Sequence, residues 1–231
     1  MDPGDILQRG RTNASEGRNE QALADYLWFH KNALKHKRAY YGVRLSFALG
    51  YWKELSDVYP PAAAAMKTIR DETAAALLKA GGSTRTLFHD VVAIDHELGR
   101  SPETYRLFLS LMKKNSDQAK KCADLALPSI IEAGDYQLAK KFLPHPEDYL
   151  LYKSERLNEN LGRKGLPRRR ALAELDAFVH IYCEDVKLLL RVLGGVGEKA
   201  WRCAALEWAI ALVGPRKARS MVALQLTLDD A

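Results

Sequence analysis

The apolar positions of this chain recur with the three- to four-residue spacing of an amphipathic helix, and glycine or proline separates one such segment from the next. Residues 84–98 show this spacing, with apolar side chains at Leu87, Val91, Ile94 and Leu98. Runs of strand-favouring residues are scarce, whereas Ala, Leu, Lys, Arg and Glu are abundant. The pattern therefore predicts an all-α protein.

The glycine and proline breaks divide the chain into a series of predicted helices. These cover 5–15, 20–36, 38–49, 52–59, 61–80, 84–98, 102–113, 115–133, 136–143, 147–161, 168–193, 198–213 and 216–226. Asn19 and Ser101 are predicted N-caps, because a short polar side chain can accept a hydrogen bond from an amide of the first turn. The segment 162–167 (GRKGLP) is a linker candidate. It predicts a repeat region over 5–161 and a basic helical region over 168–226.

Four short phrases share one pattern: a glycine, a small or apolar residue five positions later, and a bulky residue four positions after that. They are Gly17-Ala22-Tyr26, Gly50-Leu55-Tyr59, Gly99-Thr104-Phe108 and Gly134-Ala139-Leu143. A glycine turn followed by an i, i+4 pair is typical of two helices that meet at a tight corner. The phrases therefore predict helical hairpins with a turn at each glycine.

Two of these segments, EGRNEQALADY at 16–26 and EAGDYQLAKKFL at 132–143, resemble the tetratricopeptide repeat family. The steps between the four glycines are 33, 49 and 35 residues, and the first and last suit a repeat of about 34. The resemblance implies an α-solenoid of stacked antiparallel helical hairpins, here with a C-terminal helical cap. It also implies a concave face that binds a peptide or protein. The matching positions are packing positions, so no ligand contacts carry over.

The formal net charge is +6, and the whole excess lies within residues 163–219. That stretch has 12 Lys or Arg and 6 Asp or Glu, whereas the remaining chain has 23 of each sign. A dense basic run could contact phosphates or an acidic partner, although such runs are also found as solvated linkers. The residues of this predicted basic surface are Arg163, Lys164, Arg168, Arg169 and Arg170.

Nine aromatic residues fall within the 34 residues from 26 to 59. About half of them must pack between hairpins, and the surplus could line a groove, since Tyr and Trp are frequent in binding hot spots. The predicted protein-binding residues of this region are Tyr26, Trp28, His30, Tyr40, Tyr41, Trp52 and Tyr59.

The nearest approach to a catalytic constellation is His89-Asp90, with His96 seven residues after His89. A His-Asp pair begins the ligand set of metal-dependent phosphohydrolases, but such a site needs a further histidine and aspartate from other helices. The alternative is a packed helix with a half-buried histidine. Residues 194–197 (GGVG) lack the lysine and the preceding strand of a phosphate-binding loop, and they are predicted to form a helix–helix turn. We therefore expect no catalytic residue, no metal and no cofactor.

Cys122, Cys183 and Cys203 are far apart inside predicted helices, and we expect them to be buried thiols rather than a disulfide framework. The chain has neither a signal-peptide pattern nor an apolar run long enough to span a membrane. These features favour the cytoplasm and no membrane partner.

The predicted helix 198–213 is apolar nearly all round and carries Trp201 and Trp208 seven residues apart. Such a helix must be buried, either by its own chain or by a second copy. A homodimer through this helix is therefore one expectation for the oligomeric state.

Taken together, the sequence predicts a non-catalytic helical-repeat module that acts as an adaptor or inhibitor of a partner protein. The first alternative is a helical solenoid that binds nucleic acid through the basic region 163–219. The second is a metal-dependent hydrolase around His89, Asp90 and His96. Salt dependence separates the first two, because contacts to phosphates weaken steeply as salt rises.

Overall fold

The computed structural model describes residues 2–79, 84–162 and 168–228, with side chains only for 173–227 in the last range. These residues are all-helical, with no strand among them. The helices are α1 (Pro3–Ser15), α2 (Asn19–His36), α3 (Tyr41–Leu45), α4 (Phe47–Val58), α5 (Pro60–Lys79), α6 (Thr84–Glu97), α7 (Ser101–Lys114), α8 (Ser116–Lys120), α9 (Ala123–Glu132), α10 (Tyr136–Phe142), α11 (Pro146–Leu161), α12 (Arg168–Gly195), α13 (Lys199–Ala211) and α14 (Arg216–Leu228). A short 3-10 turn, Arg38–Tyr40, lies between α2 and α3. The predicted all-α class is confirmed. None of the described helices is both long and apolar enough to cross a bilayer.

The chain divides into two compact units, Met1–Ser129 and Ile130–Ala231. In the first unit α1 packs on α2, α4 on α5, α5 on α6, and α6 on α7. In the second unit α12 packs on α11, α13 and α14. Helices that follow one another in the chain are thus packing partners, as in helical hairpins. The tetratricopeptide-like repeat and the solenoid stay predictions.

Each unit has a core of fully buried side chains, and one large polar aromatic anchors each core. In the first unit the Trp52 indole donates to the Ala62 carbonyl oxygen at 3.0 Å. In the second unit the Tyr182 hydroxyl donates to the Ala209 carbonyl oxygen at 2.8 Å. Because both polar groups are satisfied, these rings bury large apolar areas without leaving a donor unpaired.

One turn geometry recurs at four helix ends. The central glycines are Gly17, Gly99, Gly134 and Gly197, with φ between 63° and 82°. The amide of each glycine donates to the carbonyl oxygen three residues before it. The amide of the next residue donates to the carbonyl oxygen five residues before itself. This is the Schellman arrangement, and its left-handed residue favours glycine. Each turn joins a helix to the next through three residues.

The predicted turn at Gly50 is wrong. Gly50 lies inside α4, where its amide donates to the Ser46 carbonyl oxygen at 2.9 Å. The break falls instead at Ser46, whose φ of −129° and ψ of −94° separate α3 from α4. The fourth turn of this kind is at Gly197, inside the GGVG segment that the sequence predicts as a helix–helix turn.

Three further details differ from the predictions. The predicted helix 38–49 is divided by the break at Ser46, and the predicted helix 115–133 is divided into α8 and α9. Asn19 and Ser101 do not cap with their side chains, because the chain turns one residue earlier and α2 and α7 begin at these residues. The side-chain caps that do form include Asn115 and Asp135, at 3.1 Å each.

The division between the units also differs in position from the predicted linker at 162–167, of which 163–167 lie outside the described residues. Helix α11 precedes that segment and shares one core with α12 and α13. Leu150 and Leu157 of α11 pack in a cluster with Val186 and Ala209. The apolar face of α11 therefore belongs to the second unit, and the contacts place the division between Ser129 and Ile130.

A buried ion pair ties α5, α6 and α7 together within the first unit. The Asp95 side chain is fully buried and accepts from Arg70 Nε and Nη2, both at 2.8 Å. Thr104 Oγ1 donates to the same carboxylate at 2.9 Å. Two charges removed from water are tolerated here because three donors surround the carboxylate.

We predict opposite effects for alanine at two glycines of the first unit. Gly99→Ala should lower the free energy of unfolding by about 1–2 kcal/mol, because alanine resists positive φ. Gly50→Ala should raise it by about 0.5–1 kcal/mol, since its Cβ meets nothing within 4 Å in a helix interior. Urea denaturation followed by circular dichroism measures both. A lower free energy of unfolding for Gly50→Ala would instead support the turn that the sequence predicts at Gly50.

We also predict that Asp95→Ala costs about 3–5 kcal/mol, because it removes the buried counter-charge of the Arg70 guanidinium and leaves only its contact with the exposed Asp71. The double variant Arg70→Met with Asp95→Leu should recover most of that loss. Arg106→Ala, which removes an exposed pair with Glu103, serves as the control and should change stability by less than about 1 kcal/mol. Equal losses in the single and double variants would show that the packing, and not the unpaired charge, is responsible.

Candidate functional site

Two of the predicted protein-binding aromatics are core residues. Tyr26 is 3% exposed and Trp52 is 1% exposed, so both rings are used mainly in packing. Tyr59 is half-buried and packs against the same core. The prediction of a binding face is therefore wrong for Trp52, whereas Tyr26 lines a cleft of the first unit and its binding role stays a prediction.

The other predicted aromatics are partly exposed, and each has a polar or aromatic neighbour. The Tyr40 hydroxyl donates to Asp2 Oδ1 at 2.6 Å. The Tyr41 hydroxyl lies 2.8 Å from His89 Nδ1. Trp28 is half-buried on the outer side of α2. None of these three side chains lines the cleft that the first unit forms.

The structure instead forms a cleft within the first unit, from residues of α1, α2 and α4, with a volume of about 410 Å³. Its lining residues are Gln8, Arg11, Thr12, Ala14, Ser15, Tyr26, Tyr51, Glu54, Leu55 and Val58. The Arg11 guanidinium lies 4.4 Å from the centre of the Tyr51 ring. At the end of α4, the Val58 side chain is 72% exposed. An aromatic ring, an arginine and an exposed aliphatic side chain thus line one concavity.

The base of this cleft is apolar and its rim is charged. Burial raises the pKa of Tyr26 to about 12, and the carboxylate of Glu54 acts in the same direction. The Tyr26 phenol therefore stays protonated at neutral pH. Arg11 and Glu54 are exposed, so the cleft offers a positive and a negative group at the surface.

A second cluster brings together residues that the sequence assigns to different roles. The Arg44 side chain is 4% exposed and donates to Asp90. Arg44 Nη1 also lies 3.3 Å from His30 Nε2, and one nitrogen of each of these two side chains is buried without a partner. Beside them, His89 is bonded to Tyr41. The cluster connects α2, α3 and α6.

This cluster holds its histidines in the neutral state. Burial lowers the pKa of His30 to about 3, and the charges of Arg44 and Lys31 act in the same direction. Burial also lowers the pKa of His89, against the opposing effect of Asp90. The Asp90 carboxylate, which lies next to His89 in the chain, already binds Arg44. The arrangement is therefore that of a structural network and not of an open acid–base site.

The residues of the predicted hydrolase site do not form a ligand set. Asp90 is paired with Arg44, His89 is bonded to Tyr41, and His96 is exposed on α6. Across 2–79, 84–162 and 168–228, no group of three or more His, Cys, Asp or Glu side chains is arranged to hold a metal ion. The geometry gives no support to the metal-dependent alternative.

The predicted basic surface lies outside what the structure describes. Residues 163–167 are not among the described ones, and of Arg168, Arg169 and Arg170 only the backbone, in α12, is described. Further along the second unit, Arg216 and Lys217 are exposed at the start of α14. The candidate site therefore includes no residue of the predicted basic surface.

The predictions for Cys203 and for its helix are wrong in part. Cys122 and Cys183 are buried, but Cys203 is exposed on α13. Trp208 is 37% exposed, with its ring 6.0 Å from that of Trp201. Helix α13 buries Ala205 and Ala209 rather than its whole circumference, because only one stripe of a helix can face the core. The homodimer through this helix stays a prediction.

Of the residues that line the cleft, only Tyr26 is among the predicted protein-binding residues. Arg11 and Val58 belong to no motif, and Tyr51 follows the glycine of a turn that does not form. Their proximity arises from the packing of α1 and α4, which are more than 30 residues apart in the chain. No local pattern signals such a pairing.

Comparisons with protein-family models, with curated proteins and with solved structures give no match for this chain.

The buried histidines predict how stability depends on pH. Above pH 6.5, His30 is neutral in both the folded and the unfolded chain. Between pH 6.5 and about 3, only the unfolded chain takes up the proton on His30. The free energy of unfolding therefore decreases as the pH is lowered through this range. His30 alone should cost about 2 kcal/mol between pH 7.5 and pH 5.

Urea denaturation at several pH values between 7.5 and 5 measures this loss, since Asp and Glu titrate mainly below that range. His30→Gln should flatten the dependence, whereas His36→Gln, at an exposed histidine, should leave it unchanged. An unchanged slope in His30→Gln would contradict a neutral buried His30.

Proposed function

We propose that this chain is a non-catalytic protein-binding module, an adaptor or inhibitor, and that the cleft of the first unit receives a segment of its partner. The observation that carries the proposal is the pairing of Arg11 with Tyr51 beside the exposed Val58. Tyr and Arg are the residue types that most often dominate binding energy when they line a concave, partly apolar surface.

The frame around the cleft supports this role. Helices α1 and α2 are joined by a three-residue turn, and an ion pair bridges them, since Asp25 accepts from Arg9 Nε at 3.0 Å and from Asn13 Nδ2 at 3.0 Å. A cleft between fixed helices is formed before its ligand arrives. The partner then loses little free energy to ordering of the site.

The lining also restricts the occupant. A partner segment would place an apolar or aromatic side chain against Tyr51 and Val58 and polar groups near Arg11 and Glu54. A cleft of about 410 Å³ accommodates one or two such side chains. We therefore propose a peptide segment of mixed polarity rather than a small cofactor.

An intracellular location forms part of the proposal. Cys122 is a buried free thiol, and Cys203 is an exposed free thiol. Unpaired thiols suit a reducing compartment.

The test is selection of peptides that bind the purified chain from a random displayed library, followed by affinity measurement. Tyr51→Ala and Val58→Lys should each weaken the selected peptides at least about tenfold, because they remove a ring or an apolar contact from the cleft. Circular dichroism melting shows whether the variants keep the fold.

Phe47→Lys is the matched control. Phe47 is 65% exposed on the same helix as Val58 but does not line the cleft, so its replacement should leave the affinity unchanged. Peptides that bind equally to Tyr51→Ala and Val58→Lys, or a library that yields no binder, would contradict the cleft as the site.

A further inference from the structure

The outer face of α2 and the turn after it form the most uniformly basic segment of the described first unit. From residue 26 to residue 53 the chain has six Lys or Arg and no Asp or Glu. Four of these cations are exposed, namely Lys31, Lys35, Lys37 and Arg38. We call these four residues, together with Trp28 and His36, the α2 basic face.

The positive charge of this face is not neutralised by neighbours. Within the described residues, none of the four cations has a carboxylate within ion-pair distance, whereas other exposed lysines such as Lys120 and Lys140 do. Asp2 accepts a hydrogen bond from the Tyr40 hydroxyl, which lowers the pKa of the Asp2 carboxyl group. The nearby Lys37 also lowers this pKa. Four unpaired cations with one carboxylate nearby suit an anionic partner.

Helix position accounts for only part of this charge. Lys35 and His36 lie in the last turn of α2, where cations interact favourably with the helix dipole. Lys31 lies a turn earlier, and Lys37 and Arg38 lie beyond the helix end. The remaining cations therefore call for another explanation than stabilisation of α2.

Aromatic side chains lie among these cations on the same face. Residues 31 and 32 follow Trp28 by three and four positions, and residues 35 and 36 follow residue 32 by the same steps. These residues therefore share one side of the helix. The ring centres of Trp28 and His36 are 5.5 Å apart, with the planes tilted by 31°. Asn32 Nδ2 donates to the Trp28 carbonyl oxygen at 3.0 Å, and Lys35 Nζ donates to Asn32 Oδ1 at 3.1 Å.

This combination distinguishes between anionic partners. An interfacial membrane helix needs a free apolar face, but the apolar face of α2, including Ala22, Phe29 and Ala33, is fully buried. An acidic protein would need only the charge. Flat rings placed among cations provide stacking surfaces for bases together with contacts for phosphates, as in proteins that bind single strands.

We propose that the α2 basic face binds single-stranded nucleic acid, with phosphates at Lys31 and Lys35 and a base stacked on Trp28. The surface is separate from the 163–219 region that the sequence favours, and separate from the peptide cleft. Lys37 and Arg38 extend the phosphate track onto the turn after α2. Binding is weakly dependent on base identity, because every base offers a flat face.

The test uses the full chain and a fluorescein-labelled twelve-nucleotide oligo(dT), with anisotropy measured at several salt concentrations from 50 to 200 mM. Lys31→Gln with Lys35→Gln should reduce the slope of log K against log salt by about 1.4, because two phosphate contacts are lost. Trp28→Leu should lower affinity roughly 5- to 100-fold at unchanged slope. Trp28→Phe, which keeps a ring, should retain most of the affinity and guards against a loss due to misfolding.

Lys113→Gln with Lys121→Gln is the matched control, since both lysines are exposed on the same unit away from α2. It should leave the slope within a few tenths of the wild-type value. Polyglutamate of equal charge and phosphatidylserine vesicles are measured beside the oligonucleotide. No binding at 50 mM salt, equal effects of the two lysine pairs, insensitivity to Trp28→Leu, or equal or tighter binding of polyglutamate or vesicles would each overturn the proposal.

Discussion

The left-handed glycine turn is the constraint on which the hairpins of this protein depend. At Gly17, Gly99, Gly134 and Gly197 the chain leaves one helix and enters the next within three residues, which only a positive φ allows with these hydrogen bonds. So short a connection brings consecutive helices together, and α1 packs on α2, α6 on α7 and α12 on α13. The cores of both units are built from such neighbours, and the positions of the exposed faces follow from them.

In the first unit the same turns are joined to buried polar contacts. The carbonyl groups of Asn13 and Asp95 close the turns after α1 and α6, and the side chains of these two residues lie in buried networks. Asn13 bonds to Asp25 of α2, whereas Asp95 bonds to Arg70 of α5 and Thr104 of α7. Turn geometry and charge pairing therefore specify the same helix arrangement, and a slipped register would leave a buried charge unpaired.

The proposed binding surfaces are formed by aromatic residues that are not buried in the cores. Tyr26 and Trp52 fill the first core, while Tyr51 and Trp28 stay accessible on different helices. The peptide cleft and the α2 basic face therefore lie on different residues of one unit. They differ in character as well, since the cleft has charges of both signs and the face of α2 has only positive ones.

The sequence by itself determined the helical class and most helix boundaries, because apolar periodicity, glycine and proline act through local backbone preferences. It also located the four glycine turns, three of them from the repeated phrase and the fourth from the GGVG segment. Only the tertiary structure decided that Gly50 continues a helix, that α11 shares a core with α12, and that His30, Arg44 and His89 lie together, because these depend on packing between helices distant in the chain. The cleft of Arg11, Tyr51 and Val58 escaped prediction for the same reason: each residue is unremarkable in its own helix, and their common surface exists only once α1 and α4 are in contact.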